Sequence, residues 1–182
     1  MVYMYKLELT VLQQEILRFL FVNSGDIFNA RGLALPLGVS QPAISKALPH
    51  LEKKNFIAIS KDKKSKRLSI KLNRENPVVI GMKRADNIRQ IYEFGMAEFL
   101  KETLPSCTVI VFGSFAKGED TSKSDIDVAI VGSKRKTLDI DGYEKALMKK
   151  ISINFYQSFK DIKPELRNNI LGGILLSGWI EL

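Results

Sequence analysis

The feature that most constrains this chain is a pair of short apolar runs, residues 107–112 and 126–131, bracketing a polar segment that opens on Gly113-Ser114. The first reads Cys-Thr-Val-Ile-Val-Phe and the second Ile-Asp-Val-Ala-Ile-Val. Continuous β-branched runs of this length, bounded by turn residues, are the pattern of buried strands. On either side the apolar spacing becomes helical. Ile80, Ile88, Ile91, Tyr92 and Phe99 predict one long connecting helix over 76–105, which suits either a spacer or the contact helix of a homodimer. Leu166, Ile170, Leu171, Ile174 and Leu175 predict a C-terminal helix over 164–180, with Pro164 in its first turn, covering a small mixed sheet. Gly172-Gly173 inside that helix predicts close packing against another backbone, and Trp179 reads as a core or interface aromatic.

The first 75 residues follow a different plan. Thr10 and Gln13 form a capping box ahead of apolar residues at helical spacing, Leu12, Ile16, Leu17 and Leu20. Asn29 can cap a short second helix, and Ser40 a third. In the third, Ile44, Ala47, Leu48 and Leu51 make one apolar stripe, which leaves Gln41, Pro42, Ser45, Lys46 and Pro49 on the outward side. Pro49 removes a helix hydrogen bond and predicts a kink near Ser45. His50, between Pro49 and Leu51, reads as a surface or partly packed residue. Alternating runs over 56–60 and 67–72 predict a β-hairpin with a basic turn.

Charge is concentrated at that hairpin. The chain carries +8, and residues 53–74 hold nine basic residues against one acid, so the remainder is balanced. A patch of this kind is the electrostatic footprint of a protein that meets nucleic-acid phosphates. Three helices and a basic hairpin in this order, with Leu-Gly-Val-Ser-Gln-Pro-Ala-Ile-Ser-Lys-Ala-Leu at 37–48, resemble the winged helix-turn-helix of prokaryotic DNA-binding regulators. The resemblance implies double-stranded DNA as partner. Gln41, Ser45 and Lys46 would lie on the recognition helix, and Lys61, Lys63, Lys64, Lys66 and Arg67 would meet phosphates from the wing.

The segment between the two buried runs carries the chemistry. Gly113-Ser114 is followed by ten residues and then Asp125-Ile126-Asp127. Residues i and i+2 of a strand share a face, so Asp125 and Asp127 can converge on one cation. A glycine lets phosphate approach backbone N–H groups, and the Ser114 hydroxyl can donate to a phosphate oxygen. Spacing, carboxylates and strand context together resemble the DNA polymerase β nucleotidyltransferase superfamily, most closely its minimal members, over about 106–182. That resemblance implies an enzyme that uses Mg²⁺ and a nucleoside triphosphate such as ATP. Asp125 and Asp127 would be catalytic and metal-binding, and Gly113, Ser114 and Lys117 phosphate-binding, with Lys117 standing where the family commonly has arginine. Minimal members are often antitoxins that modify a HEPN-type toxin, so a toxin-like protein is one implied acceptor of the nucleotidyl group.

One departure bears on turnover. Members that catalyse transfer place a third carboxylate on a later strand, between apolar neighbours. Here that strand reads Ile-Ser-Ile-Asn-Phe-Tyr over 151–156, and Asn154 takes the acid's place. An amide neither carries the charge for a second Mg²⁺ nor accepts the nucleophile's proton at neutral pH. A second reading follows, that of a winged-helix transcriptional regulator whose other domain only binds nucleotide or mediates assembly. With Cys107 and His50 the lone residues of their kinds, no disulfide or Cys/His zinc site can form, so any metal would be held by oxygen. The apolar stretches are too short for a membrane span, and the N-terminus lacks a basic and apolar leader, which predicts a cytoplasmic location. The expected architecture is α+β: a winged helix over 1–75, a connecting helix over 76–105 and a small mixed-sheet nucleotidyltransferase-like domain over 106–182.

Overall fold

The structure is a computed structural model, and it describes residues 8–61 and 68–181. The chain divides into two compact units, Met1–Val79 and Ile80–Leu182. Among the described residues no helix is long and apolar enough to cross a membrane.

In the first unit α1 (Val11–Val22) starts at the expected capping box, Thr10 N–H donating to Gln13 Oε1 at 3.0 Å and Gln13 N–H to Thr10 Oγ1 at 3.3 Å. Asn29 caps α2 (Ala30–Ala34) and Ser40 caps α3 (Gln41–Lys53), each through a side-chain oxygen that accepts from the backbone three residues on. Ile44, Ala47, Leu48 and Leu51 of α3 are buried with Ile16, Leu17 and Leu20 of α1 and Leu33 of α2. Each such side chain contributes about 1.5–3 kcal/mol by leaving water. Gln13 Nε2 donates to the Ala47 carbonyl at 3.2 Å, tying α1 to α3. α3 runs on as one helix through Pro49. Pro49 and Ser45 both lie on the exposed side, where solvent can take the hydrogen bond that proline cannot supply. Strands β1 (Ile57–Lys61) and β2 (Leu68–Leu72) pair antiparallel, Ile57 opposite Leu72, and Phe28 adds a bridge to Ile70. The turn joining the two strands lies outside the described residues.

The second unit departs from the expected helices in two places. The predicted connecting helix is two, α4 (Pro77–Glu93) and α5 (Met96–Thr103), because Gly95 takes a left-handed φ of 76° and turns the chain. Met96, Ala97, Leu100 and Leu104 then pack into the core beneath the sheet. The predicted C-terminal helix stops at Leu171. After α8 (Pro164–Leu171) the chain becomes β6 (Ile174–Ser177), antiparallel to β3 (Thr108–Phe112). Gly173 permits this: a Cβ there would stand 2.4 Å from the Val111 carbonyl oxygen, so the close backbone approach expected of the glycine pair is present, against a strand.

The sheet order is β5-β4-β3-β6, with β4 (Ile126–Val131) antiparallel to β3 and parallel to β5 (Ile151–Tyr156). Short α6 (Gly113–Lys117) follows β3, α7 (Asp141–Leu147) precedes β5, and a 3-10 turn (Phe159–Asp161) precedes α8. One sheet face, with Val109, Val111, Val128 and Ile130, packs on α5 and Phe115 of α6, while the other, with Ile110, Phe112, Ala129 and Val131, packs on Phe159, Ile162 and Ile170. Trp179 is 64% exposed, not a core aromatic, and its backbone oxygen accepts from the Thr108 hydroxyl.

Candidate functional site

Two groups of sequence-selected residues fall on separate units. On the first, Gln41, Ser45 and Lys46 are exposed together on the face of α3 opposite its buried stripe, and Lys61 is exposed at the end of β1. Lys63, Lys64, Lys66 and Arg67 lie outside the described residues.

On the second unit the antiparallel register sets Asp127 of β4 opposite Phe112, the last residue of β3. The chain then turns through Gly113 at a φ of 73°, and a Cβ on that residue would stand 2.6 Å from Asp127 Oδ2. The carboxylate therefore occupies the space a side chain at 113 would need. Ser114 is half-buried in α6, and exposed Lys117 closes that helix four residues after Gly113. Asp125 is exposed, immediately before β4. Burial, and then the charge of Asp125, raise the Asp127 carboxyl above its ordinary value. A half-buried carboxylate beside a second one has an electrostatic deficit that a cation would relieve.

The donor set fits one hard cation and no more. Mg²⁺ is bound through one or two carboxylates with phosphate and water oxygens completing the shell, which Asp125 and Asp127 can supply. Among the described residues no group of three or more His, Cys, Asp or Glu side chains gathers as a metal site. The neighbouring strand explains why, and shifts the sequence reading by two residues. In the β4–β5 register Asp127 faces Ser152, and Asn154 lies opposite Ala129. Both Ser152 and Asn154 share the sheet face of Asp127, but the position beside the carboxylate belongs to the serine, in an Ile-Ser-Ile context. Neither residue can act as a general base at neutral pH.

A third group escaped the sequence reading altogether. Asp120, in the loop between α6 and β4, is fully buried between two lysines: Lys83 Nζ lies 2.6 Å from Oδ1 and Lys149 Nζ 3.1 Å from Oδ2. Asn87 Nδ2 donates to Asp120 Oδ1 at 2.7 Å and to the Phe115 carbonyl at 2.9 Å. Burial lowers the Lys83 ammonium from its ordinary value, and Asp120 opposes that shift.

Comparison with known proteins agrees with the geometry of the second unit. Residues 95–174, somewhat less than half of the chain, match the nucleotidyltransferase domain family. No curated protein sequence matches. The adhesin competence repressor AdcR of Streptococcus pyogenes is similar in structure, with 22% identity over 52% of this chain and 68% of that chain and a TM-score of 0.40. The MepR–DNA complex of S. aureus has 22% identity over 54% and 80% and a TM-score of 0.39. The transcriptional regulator BldR of Sulfolobus solfataricus has 21% identity over 54% and 72% and a TM-score of 0.38.

Proposed function

We propose that this chain binds double-stranded DNA through its first unit and that its nucleotidyltransferase domain takes up Mg²⁺ with a nucleoside triphosphate such as ATP, passing the nucleoside monophosphate to a hydroxyl acceptor. The observation that carries the reading is the Asp127 carboxylate lodged against Gly113, with Asp125 acting on it as a like charge, next to the backbone turn on which a triphosphate would lie. Asp125 and Asp127 would hold the metal, and Gly113, Ser114 and Lys117 would meet phosphate. Neutralisation of triphosphate charge is what Mg²⁺ supplies when bound. The DNA half rests on the polar face of α3, which fits a major groove, and on the basic excess of residues 53–74. A toxin-like protein is one acceptor that the resemblance to minimal nucleotidyltransferases implies.

A second reading is favoured by one specific observation. Ser152 stands beside Asp127 where a transferring enzyme needs an acid, so nucleotide binding without efficient turnover would make the domain a nucleotide-responsive part of a DNA-binding regulator. One experiment addresses both. Calorimetry with Mg²⁺ and ATP, paired with titration of duplex DNA at low salt, is expected to show that the parent binds both ligands and that Asp127→Asn loses Mg²⁺-dependent ATP binding with DNA binding intact. Equal ATP binding by parent and variant removes the site assignment, and a parent that ignores DNA removes the other half. Transfer of label from ATP then separates enzyme from regulator.

A further inference from the structure

The buried cluster around Asp120 has an odd charge count. One carboxylate needs one cation, yet two lysines enter, and burying an ammonium is costly unless every proton is used. The second lysine has a further occupation. Lys149 Nζ stands 2.5 Å from the Thr121 carbonyl oxygen, 3.4 Å from the Ser124 carbonyl oxygen and 3.1 Å from Asp120 Oδ2. Lys149 Nζ donates to the Thr121 and Ser124 carbonyl oxygens and is ion-paired with Asp120 Oδ2, and all three oxygens lie in the loop between Gly118 and Asp125.

The neighbouring residue completes the grip. Ile126 N–H donates to the Lys150 carbonyl at 2.8 Å. Asp125 is thus held on both sides by one dipeptide: the carbonyl before it by the Lys149 side chain, the amide after it by the Lys150 backbone. The far end of the loop is pinned as well. A Cβ on Gly118 would stand 2.5 Å from the Ile80 carbonyl oxygen, and Asn87 holds the Phe115 carbonyl of α6. Within the loop, Thr121 N–H donates to Ser124 Oγ at 3.0 Å and Ser124 N–H to the Thr121 carbonyl at 3.1 Å.

We infer that Lys149 is a positioning residue: through Asp120, Thr121 and Ser124 it fixes the loop that sets Asp125 against Asp127, and so tunes the affinity of the carboxylate pair for its divalent cation. The inference rests on the metal-nucleotide reading proposed above. Lys83 is the internal control, because it bonds Asp120 and Asn87 but neither loop carbonyl. Each lysine can be removed with one ion pair to Asp120 left in place, so a folded variant is expected in both cases.

The test compares Lys149→Met with Lys83→Met in the full chain. Two quantities are read: the Mg²⁺ concentration that half-saturates ATP binding, and hydrogen exchange of the amides of residues 119–125 in the free protein. Lys149→Met should raise the Mg²⁺ midpoint about 10- to 100-fold, the usual cost of losing a group that orients a metal ligand, and speed exchange within 119–125. Lys83→Met should leave the midpoint near the parent's. An unchanged midpoint in Lys149→Met, or equal shifts in the two variants, overturns the inference. A parent that binds no ATP with Mg²⁺ overturns the proposed function instead, and unprotected 119–125 amides in that parent overturn the inference separately.

Discussion

Asp120 and Asp127 lie seven residues apart and meet opposite treatment. Asp120 is fully buried and surrounded by two ammonium groups and an amide. Asp127 is partly buried, and the nearest charge acting on it is another carboxylate, which adds to the effect of burial. The first carboxylate is ion-paired within the protein through both of its oxygens. On the second, burial and a like charge act in the same direction, the kind of perturbation that gathers at functional sites.

The largest way to break this comparison is to remove the buried, ion-paired carboxylate. Asp120→Ala strands two buried ammonium groups and should cost about 3–5 kcal/mol, read from the urea midpoint of unfolding. A loss under about 1 kcal/mol would mean that the cluster is not a sealed ion pair. Next is the chemistry beside Asp127. If an absent acid beside Asp127 limits turnover, Ser152→Asp should raise nucleotidyl transfer about 10²-fold or more, measured with labelled ATP, and Asn154→Asp, opposite Ala129, should give less. A larger gain from Asn154→Asp would reverse the assignment drawn from the strand register. The smallest effect has the opposite sign to the first. Asp127→Asn removes a like-charge neighbour and a half-buried charge, so the ligand-free protein should gain up to about 1 kcal/mol at neutral pH, a figure kept small by partial solvation. The native carboxyl of Asp127 is raised from the ordinary 3.8, so its penalty grows as pH rises through the range above that value. The gain should therefore fade as pH falls through 3.8 and vanish only well below it, where the carboxyl is protonated in native and unfolded chains alike, and thermal melts at about pH 2.5 and pH 7 check it.

What the sequence revealed and what it hid divide along the range of the interactions involved. Thr10, Asn29 and Ser40 act within three residues, so their caps were readable. The Gly113-Ser114 and Asp125-Asp127 pattern was readable because a strand brings residues i and i+2 to one face. Lys83, Asn87 and Lys149 were not, since each alone resembles a solvated polar residue of a helix or loop, and their partner Asp120 is 37, 33 and 29 residues away. The choice between Ser152 and Asn154 depended on a parallel register, which alternation along one strand cannot set. The break at Gly95 and the strand after Gly173 were hidden by apolar residues that satisfy both helical spacing and burial against a sheet.

Gly113 has a consequence for what the corner tolerates. Its left-handed backbone strains any side chain placed there, and a Cβ would have to push the Asp127 carboxylate aside. Any side chain placed at this glycine therefore displaces the carboxylate, so the corner between β3 and α6 and the position of Asp127 stand or fall together.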